Sequence, residues 1–223
     1  MLCCIKLIIM NLPSRDFSFR EQIKENPASS LELIEKECWT LLQEGASRGK
    51  SALHTFVLGT RNQQGIEMRT LVLRKTEKPR LALYSHTDLR SPKALQMKEN
   101  GNCSLLFYDP VRRIQLRLQA EAMLHLQNET SSKLWKEANM SARKTYLSQR
   151  SPGESISSPE DGLPAHLSGK DPRPEESEAG RMNFLVLEFN IKSIDWLFLN
   201  AQGHRRARIE YHETGFDASW VNP

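Results

Sequence analysis

Cysteine is scarce in this sequence and follows no pattern. Cys3, Cys4, Cys38 and Cys103 form no C-x-x-C pair and no ladder of spacings, which excludes a zinc ribbon and a disulfide framework and leaves free thiols in a reducing cytoplasm as the expectation. Long apolar runs are missing too. Residues 1–10, MLCCIKLIIM, fall well short of the roughly 20 apolar residues that a spanning helix needs. They also lack the basic flank and small-residue cleavage site of a secretory signal, so no membrane association is expected. Residues 1–28 are read as a partly disordered N-terminal extension, with Met10 an alternative start and a short extra strand the second choice. Charge of one sign is lacking as well: 31 basic against 27 acidic side chains leave +4, with no basic run interleaved with aromatics, which argues against nucleic acid. There is no G-x-S-x-G elbow, no G-x-x-x-x-G-K-[ST] loop and no H-E-x-x-H helix. The histidines at 54, 86, 125, 166, 204 and 212 are scattered without ligand spacing, so no metal is expected.

The composition that remains, 39% hydrophobic and 26% charged, is that of an ordinary globular chain, and one domain over residues 29–223 is expected. Its organising stretch runs from Arg69 to Lys93. A β-prone run, Thr70-Leu71-Val72-Leu73, is bounded by Arg69 and by Arg74 with Lys75. A turn at Glu77-Lys78-Pro79 leads to a second apolar run ending at Tyr84. A polar corner, 85–90, precedes Ser91 and Pro92, the N-cap and first-turn signals of a helix. Arg90 and Lys93 would then stand beside free helix N–H groups, a sensible place for a phosphate. On the charges alone, a hairpin leading into a solvated helix is the simpler account.

Around this stretch the pattern is mostly β. An amphipathic helix carries Leu31, Leu33, Ile34, Cys38, Leu41 and Leu42, with Trp39 expected in the core. Strands are expected at 51–60, 66–75 and 80–85, a helix from Ser91 to Glu99, and strands at 102–109 and 112–125. In the last of these, Gln115 and Arg117 share one face, either a ligand face or open water. A long helix is expected over 130–149. A flexible loop follows over 150–180, where five of the eleven prolines fall, and then strands at 182–191, 195–199 and 204–211. Long helices that do not alternate with single strands exclude a parallel α/β sheet and favour antiparallel β with flanking helices.

The order of these parts resembles the FMN-binding split-barrel family typified by pyridoxamine 5'-phosphate oxidase, in its divergent oxidase-like branch. The matching segments are Arg69 to Arg74, Tyr84-Ser85, the corner Thr87-Asp88-Leu89-Arg90-Ser91-Pro92-Lys93, and Gln115. The resemblance implies a mainly β (α+β) fold, an antiparallel split β-barrel with flanking helices. It implies FMN contacts by Arg69, Thr70, Leu71, Arg74, Tyr84, Ser85, Arg90, Ser91, Lys93 and Gln115, and a homodimer with flavin at the interface. Substrate contacts would fall on Arg205 and His204, and the activity would be flavin-dependent oxidoreduction of a small molecule. A non-catalytic flavin-binding or storage protein, and a haem- or deazaflavin-binding relative, are the alternatives. The FMN phosphate would meet Arg69, Arg90 and Lys93 with the Ser85 and Ser91 hydroxyls. Arg69 and Arg74, five residues apart on an ideal strand, face opposite sides, and Arg69 is the one expected at the phosphate. Three departures stand out. Arg74 replaces the family's lysine, Ser151-Pro152-Gly153-Glu154 lacks its glutamine–serine pair, and Ala207 stands where its C-terminal signature has histidine. These changes weaken the case for a pyridoxine substrate more than the case for FMN.

Overall fold

The computed structural model describes residues 27–223; the apolar run 1–10 and the choice between Met1 and Met10 lie outside them. Helix α1 (Pro27–Ser47) buries Ile34, Cys38, Leu41 and Leu42 on one face, with Trp39 among them. Its end is set by close approach to the next turn. A Cβ on Gly45 would lie 2.5 Å from the carbonyl oxygen of Leu53, a backbone atom that cannot move aside. Gly45→Ala is therefore expected to destabilise the fold by about 1–3 kcal/mol, as overpacked core sites do; an unchanged melting temperature would refute this contact.

Nine strands follow, antiparallel at every pairing: β1 (Thr55–Asn62), β2 (Gly65–Val72), β3 (Lys75–Glu77), β4 (Ala82–Asp88), β5 (Asn102–Asp109), β6 (Ile114–His125), β7 (Phe184–Phe198), β8 (Arg205–His212) and β9 (Gly215–Val221). The sheet runs β2-β1-β5-β6-β7-β4-β3, and β8 and β9 branch from β7. The branch point is the long strand. One edge of β7 pairs with β6 along nearly its whole length, while the other pairs first with β4 and then with β8. The sheet is thus an open, split barrel with flanking helices, the antiparallel β expected from the pattern in the form that the resemblance implies.

The interior holds Phe56 and Leu58 of β1, Leu105 and Phe107 of β5, and alternate residues of β6 and β7, closed by α1. Phe56 stacks on Phe107 at 5.0 Å and meets Phe189 edge-on at 5.8 Å. Side chains of this size each contribute about 1.5–3 kcal/mol when fully buried. A second cluster lies on the other side of β4 and β7. There α3 (Glu129–Glu137), α4 (Met140–Lys144) and the following turn put Leu134, Trp135 and Tyr146 against Tyr84, Phe184 and Val186. Among the described residues no helix is long and apolar enough to cross a membrane, and no group of His, Cys, Asp and Glu has metal-binding geometry.

Several predicted boundaries need correction. Residues 52–54 are a 3-10 turn, capped by the Ser51 hydroxyl accepting from Leu53 N. The strand expected over 66–75 breaks after Val72. The Leu73 amide donates to His54 O, but the Arg74 amide donates to Tyr84 O, so the chain changes partner from the β1 side to β4. The polar corner expected from Ser85 is strand as far as Asp88, because β7 goes on pairing with β4, from Ser85 opposite Leu187 to Asp88 opposite Phe184, after β3 has ended. The helix expected over 130–149 stops at Ala138, whose backbone is extended, and restarts because the Asn139 side chain accepts from Ala142 N. Residues 182–191 and 195–199 were expected as two strands and form one. A bulge at the β6 register shift takes up Lys192, and the set facing the main core changes from 185, 187, 189 and 191 to 194 and 196. Strand β9 was not anticipated. The segment 150–180 is irregular until the short turns at Ala165–Leu167 and Pro174–Ser177.

Candidate functional site

Of the residues expected to hold the flavin, Arg69 and Lys93 come together where β2, β4 and helix α2 (Pro92–Glu99) meet. Arg69 lies opposite Leu58 in the β1–β2 register, so its side chain turns towards α2, while Thr70 takes the outer face. The Arg69 guanidinium donates to the Thr60 hydroxyl, to Gln96 Oε1 at 3.2 Å, and to Glu67 through its main-chain oxygen at 3.1 Å and Oε2 at 2.9 Å. Thr60 in turn donates to Gln96 Oε1 at 2.6 Å, and both of these residues are buried. Lys93, in the first turn of α2, reaches back to Thr87 Oγ1 at 3.1 Å. Burial, and after it the Arg69 charge, hold the Lys93 ammonium below the usual lysine range. Two cations thus share one site. The Ser91 hydroxyl does not cap α2. It donates to Asp88 O at 2.6 Å, so no side chain at the N-cap takes up the helix's first N–H groups.

The other expected residues are placed differently. Arg90 chelates Asp88, with Nε at 3.0 Å from Oδ1 and Nη2 at 2.7 Å from Oδ2, and also donates to Ser148 O. It therefore anchors the start of the irregular segment and does not point with Lys93. Ser85 is fully buried and donates to Val72 O at 2.8 Å, tying β4 to the end of β2. Tyr84 is buried in the second cluster, its hydroxyl donating to Glu77 Oε2 and accepting from Arg80. Leu71 packs on the main core. Arg74 stands apart from Arg69, in a cavity of about 420 Å³ lined also by His54, His86, Glu137 and Asn139. The opposite sides expected for the two arginines are what the fold delivers, through the break at Leu73 and not through strand parity.

Gln115 and Arg117 share the outer face of the sheet, next to Tyr108 and Leu106 in the β5–β6 register and in line with exposed Ile66 and Met68. Arg117 and Arg206 both bind Asp195 there, Arg206 through two nitrogens. Arg205 is half-buried at the start of β8, and His204 sits in the preceding turn, its Nδ1 accepting from Asn200 N. Ala207 is fully buried in the core against β7.

Five contributors were not singled out from sequence. Thr60 and Gln96 meet Arg69 only through tertiary pairing, while Glu67 lies two residues before Arg69 on the same strand and Thr87 six residues before Lys93. Thr87 alone carried a signal, as the head of the corner motif. His86 is the fifth. Its Nε2 is buried with no partner among the described residues, and its ring packs edge-on against Phe184 at 4.8 Å. Burial, with the Arg74 charge second, pushes its pKa down to about 3, so the ring is neutral at ordinary pH.

A family model described as pyridoxamine 5'-phosphate oxidase, FMN-binding domain, matches residues 36–126, a span that contains Arg69, Arg74, Arg90, Lys93 and Gln115. No curated protein matches the sequence. Among solved structures, the fold is similar to a pyridoxamine 5'-phosphate oxidase-related, FMN binding protein from Nostoc punctiforme PCC 73102, with 21% identity, coverage of 84% of this chain and 96% of that one, and a TM-score of 0.65. It is also similar to PhzG from Burkholderia lata 383, solved in complex with tetrahydrophenazine-1-carboxylic acid, with 17% identity, coverage of 89% and 93%, and a TM-score of 0.62. Residues 36–126 thus match the model of a pyridoxamine 5'-phosphate oxidase FMN-binding domain, and the chain shares the split-barrel fold of these two solved structures.

Proposed function

We propose that this chain binds FMN and acts, as a homodimer, as a flavin-dependent oxidoreductase on a small anionic molecule. The observation that carries the reading is the Arg69–Lys93 pair beside the uncapped start of α2, within the segment that matches an FMN-binding domain. The donor set suits a phosphate: two cations, a helix start and the neighbouring Thr87 hydroxyl. Bound FMN would supply the two-electron chemistry. Arg69 and Lys93 would hold its phosphate, while the Arg74 cavity offers a cation and the unpartnered, neutral His86 to an acidic substrate group. Gln115 would reach the flavin from the outer face of a second copy. That face supports the dimer, because Ile66 and Met68 are 75% and 70% exposed beside Leu106 and Tyr108. The pyridoxine phosphates are disfavoured as substrates, since the position of the family's C-terminal histidine is a buried alanine, Ala207, with no polar group to offer.

The test is purification of the full chain, reconstitution with FMN, and measurement of its absorption spectrum, flavin stoichiometry and mass in solution. Reduction by nicotinamide donors and reoxidation by oxygen are then followed. A yellow dimer with one FMN per chain that turns over is the expected result. Stoichiometric FMN without turnover would reduce the function to flavin binding, and a haem spectrum or no flavin uptake would overturn the reading.

A further inference from the structure

The Arg69 guanidinium is not waiting empty-handed. On its buried side it is fixed by Thr60 and Gln96, both on well-packed elements. On its open side it is held by Glu67, two residues earlier on the same face of β2, whose carboxylate lies 2.9 Å from Nη2. The two sides differ in mobility. The Glu67 side chain is 46% exposed and the Arg69 side chain 18%. Glu67 can therefore swing into water, whereas Arg69 cannot follow it without leaving two buried partners. Asn62 donates to the second Glu67 oxygen and the Gln96 side chain also bonds to this carboxylate, so both steady it in place until it swings out. Lys93 donates to the neutral Thr87 hydroxyl, and among the described residues no carboxylate is hydrogen-bonded to it, although the Asp88 charge is near enough to act on it.

From this we infer that Glu67 is an internal stand-in for the cofactor phosphate, neutralising Arg69 in the flavin-free protein and giving way when the phosphate arrives. The inference rests on the FMN reading above and deepens it, by naming a residue that sets how strongly the site selects a phosphorylated flavin. The physical logic is competition. A carboxylate and a phosphate oxygen cannot both take Nη2, and the incoming dianion would also face Glu67 at close range, so the apoprotein contact opposes binding by whatever it contributes to the apoprotein. An exposed pair of this kind contributes little, which bounds the effect to about two- to five-fold in affinity. The opposite role, a carboxylate that positions Arg69 for phosphate, predicts the opposite sign.

The experiment uses the full chain stripped of flavin, wild type and Glu67→Gln, titrated with FMN and separately with riboflavin by flavin fluorescence, with melting temperatures of both forms. The expected result is FMN bound about two- to five-fold more tightly by Glu67→Gln with riboflavin unchanged. The melting temperature should fall slightly in the apoprotein and not in the FMN complex, where the ion pair is already broken. A purely structural ion pair would lower both melting temperatures alike and leave FMN affinity unchanged; that result, or weaker FMN binding by Glu67→Gln, would overturn the inference while leaving the FMN reading intact. A wild-type protein that does not distinguish FMN from riboflavin would overturn the phosphate site itself, and the inference with it.

Discussion

The double variant Arg69→Ala, Lys93→Ala is expected to lose FMN affinity by 100-fold or more while riboflavin binding changes little. Charge-assisted hydrogen bonds contribute roughly 1.5–3 kcal/mol each, and two of them lost together exceed the approximately 2.7 kcal/mol that corresponds to 100-fold. Release of Arg69 from Glu67 takes back part of its share, so Lys93 is expected to carry the larger single effect. Its burial points the same way, since a desolvated ammonium that no carboxylate of the described residues hydrogen-bonds directly gains most from an arriving anion. Arg90→Ala serves as the comparison. Its guanidinium is chelated by Asp88 and bonded to Ser148 O, so its loss should loosen the segment after α4 and change FMN affinity less than Lys93→Ala. Isothermal titration of apoprotein with each flavin decides. Unchanged FMN affinity in the double variant, or an equal loss for riboflavin, would remove Arg69 and Lys93 from the phosphate.

How much of this site could be read from the chain follows from which interactions are local. The Ser91-Pro92 helix start, the Asn100-Gly101 exit and the alternation of Ile114, Leu116 and Leu118 are set by neighbouring residues, and each stands where the sequence puts it. Partner exchange is not local. Nothing in Leu73-Arg74 announces that consecutive amides will bond on different sides, one to the turn before β1 and the next to β4, yet that break is what separates Arg74 from Arg69. The bulge at Lys192 is similar. It reverses which residues face inwards, so one strand of fifteen residues reads as two runs out of phase. Charge was the least legible. Arg69, Arg90 and Lys93 look alike in the sequence, and only the positions of Asp88, Ser148 and Glu67 decide which of them is committed to another partner.

The same limit concealed the residue whose loss should damage the fold most among the charged ones. Glu188 stands in the middle of the apolar run of β7, and its side chain is 1% exposed. Its Oε1 accepts from Arg80 Nη2 at 2.8 Å, and its Oε2 lies 2.8 Å from His125 Nε2. His125 Nδ1 meets the amide of Asn128, whose own oxygen caps α3, and Arg80 goes on to the Tyr84 hydroxyl and Glu77. One carboxylate therefore joins β4, β6 and β7 to the helix that walls the Arg74 cavity. Removing one partner of a buried ion pair costs about 3–5 kcal/mol, because the other is left uncompensated. Arg80 is more than half exposed and regains water, which puts Glu188→Ala near the lower end, at about 3 kcal/mol. Glu188→Gln keeps the shape and one acceptor, and should cost about 1–2 kcal/mol. Urea denaturation of the three proteins measures both values, with flavin titration below the transition as a check that the folded variants keep the phosphate site. Glu188→Ala as stable as wild type would mean that the network is a passive consequence of the packing around it, and that Trp135, Tyr146 and Phe184 alone hold α3 against the sheet.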